Sequence, residues 1–97
     1  MDDRIEAFLN DVLALEGEDS NRVREGVSVH LEVYEKQFRD AEPNKHMKDK
    51  AAQACRALCR VRVLEEMRRR KGTPTAAHLG IVLTVIDSPP GFPLKDN

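Results

Sequence analysis

From Val23 to Ala41 apolar residues return every three or four positions: Val23, Val27, Leu31, Tyr34, Phe38 and Ala41. A helix of 3.6 residues per turn gathers such a series onto one side, so the segment reads as a long amphipathic helix. Asp19 and Ser20 stand where side-chain oxygens accept from the orphan N–H groups of a first turn. Pro43 closes the segment, because it disfavours helical geometry at Glu42 and donates no hydrogen bond. Val29 and Val33 fall on the far side of the same helix, a second apolar strip beside the main one.

The same rules divide the rest of the chain. Ile5, Phe8, Leu9, Val12 and Leu13 form one stripe, which predicts a helix over 3–16 with a capping-box-like start at Asp3 and Glu6 and a stop at Gly17. A third helix is predicted over 44–71. Met47, Ala51, Ala54, Cys55, Leu58 and Val61 share one of its faces. Beyond Val61 the apolar positions rotate to Val63, Leu64 and Met67. No Pro or Gly intervenes before Gly72, so the helix is expected to continue against a different neighbour. A fourth helix opens with Thr73 as cap and Pro74 in the first position, and runs to about Asp87. Leu79, Ile81, Val82, Leu83, Val85 and Ile86 leave it almost no polar face. The β-branched run 81–86 makes a strand the competing reading, against which Thr73-Pro74 and the Ala76-Ala77 pair favour helix. Pro89, Pro90 and Pro93 predict an extended tail over 89–97, after a single helical domain over 1–88. The expected fold is all-α, a compact four-helix bundle.

Ninety-seven residues suit one domain. Three Phe, one Tyr and no Trp make the core aliphatic and argue against the stacking platforms that bind single-stranded nucleic acid. No apolar run approaches the ~20 residues of a membrane span. The opening Met1-Asp2-Asp3-Arg4 lacks the basic-then-apolar order of a secretory signal. Two cysteines four residues apart form no disulfide framework, so cytoplasmic residence is expected.

A net charge of −1 conceals two opposed blocks. Residues 1–42 carry five Lys/Arg against twelve Asp/Glu; residues 43–71 carry ten against three. An acidic helical hairpin beside a basic helix satisfies this asymmetry within one chain or between two copies. A polyanion is the other partner such a block fits, through Arg56, Arg60, Arg68, Arg69, Arg70 and Lys71. Any such contact is to the phosphate backbone, because the fourth helix offers only His78 and Thr84 to base edges.

No phosphate loop, nucleophile elbow or HExxH motif is present, and no cofactor or catalytic residue is expected. Cys55 and Cys59 lie one helical turn apart. A tetrahedral metal needs two further ligands, for which His30, His46 and His78 are too scattered, so the thiols read as small core residues. The expected function is a helical protein-interaction or regulatory module that pairs with itself. The apolar surplus points to Val29 and Val33 with Leu79, Val82, Leu83 and Ile86 as the contact. Nucleic-acid association through the basic third helix is the alternative.

Overall fold

Residues 2–88, those described by the computed structural model, form four α-helices: α1 (Asp3–Leu13), α2 (Ser20–Ala41), α3 (Lys48–Arg69) and α4 (Pro74–Ile86). A short 3-10 turn, Lys45–Met47, precedes α3. Residues 81–86 are helical, and no strand occurs among the described residues; the tail over 89–97 lies outside them.

Local chemistry accounts for each boundary. The α1 cap is Asp2, one residue earlier than the expected Asp3; its Oδ1 accepts from the Arg4 amide at 2.8 Å. The helix stops at Leu13 rather than near 16, and the turn after it closes through Gly17 at φ +97°, a left-handed conformation suited to glycine. Asp19 caps α2 by accepting from the Arg22 amide at 3.0 Å, and the backbone is extended at Glu42, ahead of Pro43. The start of α3 falls at Lys48, not at 44. Asn44 accepts from the His46 amide at 2.9 Å and ties those residues into the tighter turn. Thr73 Oγ1 accepts from the Ala76 amide at 3.2 Å, with Pro74 leading α4.

Two C-termini are closed by side chains of α3. Lys48 Nζ donates to the carbonyls of Arg39 at 2.8 Å and Glu42 at 2.7 Å, at the end of α2. Arg56 Nη1 donates to Ile86 O at 2.5 Å and Ser88 O at 3.1 Å, at the end of α4. A cation there satisfies orphan carbonyls and meets the negative end of the helix dipole.

The core is aliphatic. Ile5, Phe8, Leu9 and Val12 meet Val23, Val27 and Leu31, Cys55, Cys59 and Val63, and Leu79, Val82, Val85 and Ile86. Phe8 sets its ring edge-on to Tyr34 at 6.2 Å. Cα extents of 42 × 36 × 17 Å describe a slab two helix layers deep. The inward face of α3 corrects the expectation. Ala52, Cys55, Cys59, Val63 and Glu66 are buried in one unbroken stripe, while Met47, Leu58 and Val61 lie at the surface. Apolar and polar residues are spread almost evenly around α3, and its true core line includes a charged residue. Periodicity alone therefore placed the face partway around the helix from the buried one, the two sharing Cys55.

Candidate functional site

Four of the six cations read as a polyanion surface are paired with carboxylates. Arg56 Nε donates to Glu35 at 2.9 Å while its Nη1 caps α4, and Arg60 donates to Asp87 at 2.8 Å. Arg69 and Arg70 both close on Glu66, Arg70 at 2.5 Å. Only Arg68 and Lys71 of the six have no acidic partner among the described residues. Five of the ten cations of the basic block, Arg56, Arg60, Arg62, Arg69 and Arg70, are thus matched among the described residues, by carboxylates from α1, α2, the end of α4 and their own helix.

Glu66 is the centre of that matching. Its side chain is 2% exposed and accepts from Arg62, Arg69 and Arg70. The Arg69 and Arg70 hydrogen bonds, aided by Arg62, overcome the desolvation of burial and hold its carboxyl down at about 2. Arg62 also donates to Glu6 at 2.6 Å, which ties α1 to the far end of α3.

An open groove of about 580 Å³ lies between the C-terminal halves of α2 and α4 and the N-terminal half of α3. Its charged walls are Glu35 with Arg56, Asp87 with Arg60, and Arg39 with Asp49 at 3.8 Å. Among the described residues each charged side chain lining the groove faces a partner of opposite sign.

Both thiols are fully buried and free. The hydrogen bond shared with Cys55, together with burial, holds the Cys59 thiol above its ordinary range and keeps it protonated. Among the described residues no three His, Cys, Asp or Glu converge as metal ligands. The histidines lie apart. His78, buried, bonds Val12 O through Nε2 at 2.7 Å and joins α4 to α1. His30 Nδ1 stands 3.6 Å from Asp11 Oδ2, the same oxygen that accepts from the Tyr34 hydroxyl at 2.8 Å. Burial, then that bond to Asp11, raises the Tyr34 phenol above its usual value. His46 sits exposed in the 3-10 turn.

The residues expected to form a dimer contact separate into two groups. Val29 and Val33 are 57% and 47% exposed on α2. Leu79, Val82 and Ile86 are buried in the chain's own core, and Leu83 is partly buried against it. The nearly all-apolar α4 is a central element, so its surplus is consumed within one copy. Corresponding surface exists instead on α3, where Ala54, Ala57, Leu58 and Val61 are all exposed, Leu58 at 40% and Val61 at 49%. Their i, i+3, i+4, i+7 spacing is visible in the sequence, but it reads equally as a core face.

No helix among the described residues is long and apolar enough to cross a membrane. The chain matches no family model, no curated protein and no solved structure.

Proposed function

We propose that this chain is a helical protein-interaction module that self-associates, acting through outward helix faces rather than through a catalytic pocket. The observation that carries this reading is the exposure of Val29, Val33, Leu58 and Val61 on a molecule whose core closes without them. Contiguous apolar surface on a helix marks a docking site more often than a solvated face. The engagement of Arg56, Arg60, Arg69 and Arg70 by carboxylates supports a protein partner over a polyanion. Two buried free thiols fit a reducing compartment such as the cytoplasm.

Sedimentation equilibrium tests the reading. A concentration-dependent species at twice 11.0 kDa is the expected result, and a single 11.0 kDa species at all concentrations overturns self-association.

A further inference from the structure

The outer face of α3 is matched to itself. Ala54, Ala57, Leu58 and Val61 form one exposed cluster two turns long, with its small side chains weighted to one end and its bulky ones to the other. Lys50 lies one turn before this cluster and has no acidic partner among the described residues. Glu65 lies one turn after it, about half exposed, and among the described residues its one basic partner is Arg62 at 3.8 Å. The cluster is therefore apolar in the middle, cationic at one end and anionic at the other.

We propose that the occupant of this face is the same face of a second copy, packed antiparallel about a two-fold axis beside Ala57 and Leu58. The proposal rests on the self-association reading above and names its surface. Reversing the helix about that point sets Leu58 over Ala57 of the second copy, and Val61 over Ala54 of the second copy. Bulk meets hollow along the whole cluster, and the alanines let the two backbones approach closely. The same operation brings Lys50 opposite Glu65 of the second copy, twice by symmetry, while Arg68 falls opposite Met47. A contact of this kind is isologous and closes at two chains. Charge complementarity fixes register and orientation, and the apolar centre supplies the affinity. Four small to medium residues per copy form a contact below the size of permanent dimers, so the pairing is weak and reversible.

The experiment is sedimentation equilibrium of the full chain up to about 1 mM, where millimolar dissociation constants are still measurable. Leu58→Glu places a charge at the axis and weakens dimerisation by roughly a hundredfold. Lys50→Glu turns two attractions into repulsions and weakens it by about tenfold. Lys50→Glu combined with Glu65→Lys restores the pair and returns affinity to within about threefold of the parent. All three substitutions are at exposed positions, and unchanged helical circular dichroism confirms the fold. A double variant as weak as Lys50→Glu alone overturns the antiparallel register. A dimer indifferent to all three variants but split by Val29→Glu with Val33→Glu overturns the α3 assignment and leaves self-association standing. A parent chain that stays monomeric throughout overturns both.

Discussion

Arg62 donates to the buried carboxylate of Glu66 at 3.2 Å, and its guanidinium also reaches Glu6 on α1, so one side chain bridges two acids on different helices. Arg69 and Arg70 complete the ring around Glu66 from the following turn. A carboxylate with 2% exposure survives in a core only with such compensation.

The carboxyl of Glu66, held down at about 2, makes stability depend on acid. Its folded value lies below the unfolded one, near 4.3, so its contribution is complete above about pH 5 and drains away as pH falls toward 2. The difference corresponds to about 3 kcal/mol at most. Glu66→Gln is expected to cost about 2–3 kcal/mol at pH 7, since Arg69 and Arg70 can turn to water. Urea denaturation between pH 7 and pH 3 checks this: the variant should decline less steeply than the parent, and parallel curves contradict the assignment.

Arg56 and Arg60 carry the same charge one turn apart but differ in surroundings. Arg56 pairs with Glu35 at 23% and 12% exposure and caps α4, whereas Arg60 and Asp87 are both about half exposed. Arg56→Met should destabilise by about 2–3 kcal/mol, because it strands a largely desolvated carboxylate and the α4 carbonyls. Arg60→Met should stay within about 1 kcal/mol. Equal losses in chemical denaturation are the contrary result.

The thiols of Cys55 and Cys59 should resist Ellman's reagent in the native protein and react only as the chain unfolds, given their burial. Cys55→Ala with Cys59→Ala should fold, at a cost of about 1–2 kcal/mol for two small cavities. Prompt labelling of native protein, or stoichiometric zinc or iron lost in the double variant, contradicts a packing role.

Polyanion binding, if any occurs, should show a shallow salt dependence. Only Arg68 and Lys71 of the six candidate cations lack acidic partners among the described residues, so the share of the log–log slope from these six should be no steeper than about 2. Submicromolar binding with a slope near 5 is the result that would transfer all six residues to a phosphate surface.

The features readable in the sequence are those settled within a few residues. Thr73-Pro74, Asp19 and Gly17 each act on their own turn, and the structure uses them as their chemistry predicts. The periods of α1 and α2 name their buried residues because each helix has one dominant apolar stripe, although Ala41 at the end of the α2 series is exposed. The α3 face was readable only in part: the thiols and Val63 are buried as expected, but the line that joins them to Ala52 and Glu66 was not visible. Cys55, Cys59 and Glu66 are no more apolar on average than Leu58 and Val61, and what turns them inward is the ring of arginines and the packing of distant helices. Arg56 hides its role for a similar reason: its partners Glu35 and Ile86 lie 21 and 30 residues away in sequence. Composition showed an acidic block and a basic block, but only the fold shows which charges meet.

The partial pairing of those blocks, and the near-balance of the charges left over, bear on how fast this protein meets others. Carboxylates and guanidiniums held within 3 Å of one another project little field beyond the surface, and a net charge of −1 adds almost none. Encounters are then governed by diffusion and orientation, at about 10⁵–10⁶ M⁻¹s⁻¹, with little change between dilute and concentrated salt. A chain with one charged residue in every three thus approaches its partners much as a neutral one would.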